Sequence, residues 1–102
     1  MRNPRLLAEK LRVKKSTAEQ NLMRQSAELS AKSHGSVMRA SRDAAQRGLR
    51  EAVLSAQFEF ECRVAGAERL AYPNVVAGGE NATVLHYMHN DATLADLSLI
   101  HI

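Results

Sequence analysis

Residues 71–87 read AYPNVVAGGENATVLHY, and the helical pattern of the preceding chain is absent from this stretch. Two β-prone runs, at 71–79 and 83–87, are separated by turn-forming residues. The pair Gly78-Gly79 permits a tight turn or a close approach of the backbone to a ligand. We therefore predict a strand over each run, and His86 falls inside the second one.

Upstream of this stretch, apolar residues recur every three or four positions, which is typical of amphipathic helices. A short helix is predicted within 5–15 and a longer one over 17–40. Ser16 and Glu19 form the capping-box pattern at the start of the longer helix. Gly35 interrupts the pattern, but one glycine costs only about 1 kcal/mol relative to alanine, so the helix is expected to continue.

Residues 40–48 combine small and charged side chains without a long apolar stripe, and we predict a connection there. A further helix is predicted over 49–65, with Gly66 as its left-handed cap. Its apolar face comprises Leu49, Val53, Ala56, Phe60, Val64 and Ala67, with Phe58 and Cys62 on a neighbouring line. Two amphipathic helices followed by short antiparallel strands favour an α+β fold over a parallel doubly wound sheet.

The composition indicates one small domain. The chain has 102 residues, is 45% hydrophobic and contains one cysteine. Cys62 cannot form an internal disulfide, so we expect a buried thiol in a reducing compartment, the cytoplasm or the mitochondrial matrix. We expect neither a signal peptide nor a membrane segment, because no apolar run approaches the length of a membrane span.

The charge is unevenly distributed, with net values of +5 for residues 1–15, +3 for residues 16–50 and −5 for residues 51–102. A basic front is compatible with binding to nucleic acid. However, no aromatic platform, zinc finger or RNA-binding signature accompanies it. We therefore interpret the basic residues as a solvated helix and expect no nucleic-acid partner.

The residues that could support chemistry are few. None of the four histidines has a metal-binding spacing with a cysteine, an HExxH pair or an acidic cluster. Glu59 and Glu61 point to different helix faces, so Glu59 is better explained as an i,i+4 surface partner of Arg63. From the local pattern, His86 is more simply a hydrogen-bonded structural histidine than a catalytic or substrate-contacting one.

A family resemblance changes that assessment. The stretches FEFECRVAGA at 58–67, LAYPNVVAGGENA at 70–82 and LHY at 85–87 closely resemble the start of the catalytic domain of Xaa-Pro aminopeptidases (aminopeptidase P), metallopeptidases of the pita-bread fold. Asn90-Asp91 continues the match. Upstream, LRVKKSTAEQNLMRQSA at 11–27 is similar to that family's entry into its first catalytic helix.

The resemblance implies a truncated pita-bread fold. Residues 1–15 would form a basic entry segment, residues 16–96 the N-terminal part of the catalytic domain, and residues 97–102 a tail that departs from the family pattern. The implied activity is hydrolytic removal of an N-terminal residue that precedes proline. His86 matches a histidine that lines the family's substrate pocket and is not a metal ligand.

The same resemblance implies a cofactor that this chain does not bind. The family uses two metal ions, usually manganese, held by two Asp, one His and two Glu, and all five ligands fall beyond residue 102 in the family pattern. We therefore expect no metal ion in this chain and no activity from it alone. The alternative is a non-catalytic helical interaction module, with self-association through an exposed sheet edge.

Overall fold

Helices dominate the structure, a computed structural model that describes residues 3–95 and 100–101. The helices are α1 (Pro4–Val13), α2 (Thr17–Gln46) and α3 (Glu51–Val64), and a 3₁₀ helix spans Gly79–Thr83. Strands β1 (Ala77–Gly78) and β2 (Ile100–His101) pair antiparallel. The predicted tail at 97–102 lies largely outside the described residues.

The short first helix is present, and the predicted start of α2 is confirmed. Asn3 caps α1 by accepting a hydrogen bond from the backbone N–H of Arg5 at 3.0 Å. At the start of α2, the Glu19 N–H donates to Ser16 Oγ at 3.3 Å, and the Ser16 N–H donates to Glu19 Oε2 at 2.7 Å. This reciprocal pair is the capping box, and α2 then passes through Gly35 without a break.

The predicted connection at 40–48 is wrong, because α2 continues to Gln46. Alanine and arginine are good helix formers, and the absence of a long apolar stripe does not end a helix. The stop comes from Gly48, whose φ is 60°. The Gly48 N–H donates to the Ala45 carbonyl, and the Leu49 N–H donates to the Ala44 carbonyl, which together form a Schellman motif.

The end of α3 is built in the same way and confirms the predicted cap. Gly66 has a φ of 99°, and its N–H donates to the Arg63 carbonyl. The Ala67 N–H reaches the Cys62 carbonyl at 3.0 Å. Both long helices therefore end at a glycine in the left-handed region, where a side chain would be strained.

The core lies between the C-terminal half of α2, helix α3 and the segment at 74–95. Its buried members are Val37, Ala44, Leu54, Val76 and Leu94. The apolar face that the sequence predicts for α3 is largely exposed, with Val53 at 43%, Phe60 at 66% and Val64 at 70%. The packed face instead contains Leu54, which clusters with residues of α2 and of the segment at 74–95, and Cys62, which lies against Ser33 of α2.

The strand prediction is mostly wrong. Of the run at 71–79 only Ala77–Gly78 is a strand, and the run at 83–87 contains none. The physical reason is that backbone donors in this segment bind side chains. The Val76 N–H donates to Asn90 Oδ1, and the Gly78 N–H donates to Glu51 Oε1. Side-chain acceptors distant in sequence thus take these two donors, and the run at 83–87 begins by closing the 3₁₀ helix, where the Val84 N–H donates to the Asn81 carbonyl.

A loop spans residues 77–92, and backbone hydrogen bonds join its far end, at 92–94, to the N-terminus of α3. The Glu51 N–H donates to the Ala92 carbonyl at 2.9 Å, and the Leu94 N–H donates to the Leu49 carbonyl at 2.8 Å. An isolated antiparallel bridge joins Arg50 and Thr93 between them. These contacts return the loop at 77–92 to the start of α3.

Candidate functional site

His86 lies in an exposed turn and not in the strand that the sequence predicts. Its φ is 55°, in the left-handed region that residues with a side chain rarely adopt. Such a conformation costs about 1–2 kcal/mol, so the surrounding structure must hold it. Leu85 beside it is 85% exposed, whereas Tyr87 on its other side is buried at 8% exposure.

His86 contributes to the wall of a groove of about 1240 Å³. The groove runs between α2 and the chain that leaves α3. Its apolar lining includes Leu29, Phe58 and Leu85. Apolar walls with a few polar groups are the usual composition of a ligand-binding site.

His34 lines the same groove, a proximity that the sequence analysis did not predict. Its Nδ1 lies 2.8 Å from the Ser30 carbonyl one turn earlier in α2. Its ring meets Phe58 edge to face, with 4.7 Å between the ring centroids. These contacts fix the ring as part of the packing between α2 and α3.

Glu51, in the first turn of α3, is a buried charged residue that the sequence pattern did not single out. Its side chain is completely buried, and both carboxylate oxygens are occupied. Oε1 accepts from the Gly78 N–H at 2.7 Å and from Asn81 Nδ2 at 3.3 Å. Oε2 accepts from the Tyr87 hydroxyl at 2.9 Å and from the Ala92 N–H at 3.1 Å. We call these five residues the Glu51 cluster.

The cluster changes the acidity of two of its members. Burial is the largest influence on Glu51 and raises its pKa, but the hydrogen bonds from Gly78, Tyr87, Asn81 and Ala92 together outweigh it and leave the pKa lowered. For Tyr87, burial and the hydrogen bond to Glu51 raise the pKa to about 12. Both shifts favour an ionised carboxylate beside a neutral phenol.

A second group of polar side chains holds the residues that precede the loop. Asn90, with a φ of 50°, accepts from the Val76 N–H at 2.8 Å and donates through Nδ2 to the Asn74 carbonyl at 3.0 Å. Asn74 in turn donates to the carbonyl and the hydroxyl of Ser55 on α3. Glu51 and Ser55, one turn apart, therefore hold the two ends of the same segment against one helix.

The other predicted polar contacts lie outside this cluster. Arg63 binds Glu59 at 2.8 Å on the surface of α3, as predicted. Glu61 accepts from the Ser36 hydroxyl of α2 at 2.9 Å. The Cys62 thiol is buried, as predicted, and lies 3.4 Å from Ser33 Oγ.

The described residues do not fit a metal site. Across residues 3–95, no three His, Cys, Asp or Glu side chains are grouped so that they could hold a metal ion. The fully buried Glu51 carboxylate is surrounded by N–H and O–H donors, which occupy the positions a cation would need.

Comparison with known proteins defines the class. The model of metallopeptidase family M24 matches residues 21–102, which is most of the chain. The chain belongs to metallopeptidase family M24. Among curated relatives, intermediate cleaving peptidase 55, mitochondrial, of Arabidopsis thaliana is 44% identical over 94 residues, covering 92% of this chain and 18% of the plant protein.

Further similar proteins carry the name aminopeptidase. Xaa-Pro aminopeptidase 3 of Mus musculus is 38% identical over 100 residues, covering 98% of this chain and 19% of the mouse protein. The solved structure of Pseudomonas aeruginosa aminopeptidase PepP superposes with a TM-score of 0.78 at 43% identity, covering 88% of this chain and 20% of that one. Proline aminopeptidase P II from Yersinia pestis also gives 0.78, at 34% identity and the same coverage.

The chain spans about a fifth of the length of the relatives it matches. The predicted resemblance to aminopeptidase P is confirmed at the level of family and local fold. In the part of the chain that the structure describes, no helix is long and apolar enough to cross a membrane.

Proposed function

We propose that this chain is part of the catalytic domain of a metal-dependent Xaa-Pro aminopeptidase, which removes an N-terminal residue preceding proline, and that His86 contacts the peptide substrate. The relatives named Xaa-Pro aminopeptidase 3 support the reaction class. The observation that carries the proposal is the position of His86, exposed in a left-handed turn at the wall of the groove between α2 and the chain that leaves α3.

The geometry suits a substrate contact. Either ring nitrogen of an imidazole can donate or accept a hydrogen bond, depending on its tautomer, and a peptide offers both partners. Because Tyr87 is buried and hydrogen-bonded, the residue that follows His86 is fixed before a substrate arrives. A group held in place loses little entropy on binding, and this preorganisation is what a positioning residue provides.

The catalytic metal belongs to residues other than those described here. We propose two manganese ions for the complete enzyme, as the resemblance implies, and they would supply an activated water. The five ligands of the family match no residue in this sequence. We therefore propose that the chain alone does not hydrolyse peptides, and we expect the cytoplasm or the mitochondrial matrix as its compartment.

The test is a chimera in which this chain replaces the superposing segment of Pseudomonas aeruginosa PepP. With divalent metal supplied, we expect the chimera to hydrolyse a peptide with proline at the second position faster than the same peptide with alanine there. The variant His86→Ala should lower kcat/KM by about tenfold to a hundredfold, because an unmade hydrogen bond costs about 1–3 kcal/mol.

The matched control is Met88→Ala, an exposed position two residues further along the same segment. We expect its kcat/KM to stay within about twofold of the unsubstituted chimera. A folded chimera without activity would contradict the assignment to an aminopeptidase. Equal kcat/KM of the His86→Ala and Met88→Ala variants would show that His86 does not contact the substrate.

A second candidate function is a non-catalytic interaction module, and the exposed stripe on α3 favours it. Val53, Phe60 and Val64 present apolar surface to solvent along one line of the helix. The module hypothesis predicts that copies of the chain associate as their concentration rises, including through the sheet edge. Light scattering measures this association, and Phe60→Asp should weaken it. A monomer at every concentration would count against self-association.

A further inference from the structure

We propose that Glu51 is a positioning residue for His86, acting through Tyr87 to hold the loop at 77–92 in the shape that presents the imidazole to the groove. The inference rests on the proposed function, because it concerns how the substrate-contacting residue is held. It also makes a structural claim about the loop that can be tested without catalysis.

The carboxylate of Glu51 is bound at four separate points of the loop. Gly78 and Asn81 bind Oε1, whereas Tyr87 and Ala92 bind Oε2. Two of these donors are backbone N–H groups near the two ends of the loop. Hydrogen bonds to an ionised acceptor are stronger than neutral ones, so one buried side chain fixes the path of the segment.

The effect reaches His86 through its neighbour. Tyr87 Oη donates to Glu51, and Asn81 Nδ2 donates to Tyr87 Oη at 3.1 Å, so the phenol is held from two sides. The residue before His86, Leu85, is exposed to solvent and gives the turn little packing. The left-handed φ of His86 therefore depends on the buried Tyr87 that follows it.

A carboxylate is required at this position, and its isosteric amide would not suffice. Glutamine has one acceptor oxygen and one NH₂ group. With NH₂ on the Oε1 side it would face the Gly78 N–H, and with NH₂ on the Oε2 side it would face the Ala92 N–H. A backbone N–H cannot become an acceptor. In either orientation, therefore, the amide NH₂ and the backbone N–H that faces it are two donors without an acceptor between them.

The first test uses the full 102-residue chain and amide exchange by NMR. In Glu51→Gln, we expect exchange to speed up by about fivefold to a hundredfold, relative to Leu54 in the core, at whichever of the Gly78 and Ala92 amides faces the new NH₂ group, because that buried donor is left unpaired. The His86 amide resonance should move toward the value of an unstructured chain. The control Glu61→Gln makes the same charge change on α3, facing Ser36, and should leave the loop unchanged.

Two further measurements keep the test valid if Glu51→Gln does not fold. Tyr87→Phe removes one hydroxyl and should still shift the His86 resonance. In the unsubstituted chain, acid should release Gly78 and Ala92 as Glu51 becomes protonated. Two other titratable side chains contact Tyr87: Asp91 Oδ1 lies 3.3 Å from Tyr87 Oη, and the His89 ring packs edge to face against the Tyr87 ring. If Glu51 causes the acid response, the variants Asp91→Asn and His89→Gln must retain it.

The second test is a double-variant cycle in the chimera. If Glu51 acts through His86, Glu51→Gln lowers kcat/KM, and combining it with His86→Ala gives no loss beyond His86→Ala alone. Additive losses in an active chimera would overturn the positioning role and leave the proposed function intact. An inactive parent chimera would contradict the proposed function, while amide exchange in the chain still decides whether Glu51 holds the loop. A His86 resonance unmoved by Tyr87→Phe would overturn the inference itself.

Discussion

The hydroxyl of Tyr87 donates to Oε2 of Glu51 at 2.9 Å, across 36 residues of chain. This bond joins the first turn of α3 to the residue that follows His86. The same carboxylate oxygen accepts a hydrogen bond from the Ala92 N–H. The Ala92 carbonyl in return accepts a hydrogen bond from the Glu51 N–H. The start of α3 and the loop at 77–92 are therefore one hydrogen-bonded unit.

We expect Leu54→Ala to destabilise the fold far more than Val53→Ala, although the sequence pattern assigns Val53 to the apolar face. Leu54 is fully buried, whereas Val53 is 43% exposed. Removing the Leu54 side chain should lower the free energy of unfolding by about 2–5 kcal/mol, and the Val53 change by less than about 1 kcal/mol. Urea denaturation measures both, and equal losses would show that the packed face of α3 is wrongly assigned.

Acid should destabilise the chain through Glu51. Because its pKa in the fold is lowered from the ordinary 4.5, this carboxylate contributes stability above that value and loses it as the pH falls through the folded pKa. We expect the denaturation midpoint to decline below about pH 4.5 in the unsubstituted chain. The decline should be shallower in Glu51→Gln, and identical pH profiles for the two proteins would contradict it.

Tyr87 should ionise only in strong alkali. Its pKa is raised from 10.0 to about 12, first by burial and then by the neighbouring Glu51 carboxylate. The neutral phenol therefore stabilises the fold fully below pH 10.0, and that contribution is lost as the pH rises through about 12. Ultraviolet titration of the Tyr72→Phe variant isolates Tyr87, and Glu51→Gln in that background should lower the midpoint.

The capping box should control the first turns of α2. The residues at 17–28 are exposed, so no tertiary packing offsets a lost cap. Ser16→Ala should cost about 1 kcal/mol locally and speed amide exchange at Glu19. The control Ser41→Ala removes a serine from within the same helix, where its hydroxyl only bonds the Met38 carbonyl. Similar exchange at Glu19 in both variants would mean that the cap contributes nothing.

The features that the sequence determined by itself are local. Ser16 and Glu19 marked the start of α2 because a capping box needs only neighbouring residues, and Gly66 marked the end of α3 for the same reason. Gly48 carried an equally local stop signal for α2 that the prediction for 40–48 overlooked. The motif around His86 also identified the family, which the comparisons confirm.

Only the tertiary structure decided which apolar line of α3 is packed and how the chain at 71–87 folds. Periodicity shows that a helix has apolar faces, but the segment laid against it selects Leu54 over Phe60. In the run at 71–79, Asn90 and Glu51, distant in sequence, accept the N–H groups of Val76 and Gly78, and the run at 83–87 begins by closing a 3₁₀ helix. The conformation of His86 follows from those long-range contacts, and no local pattern contains them.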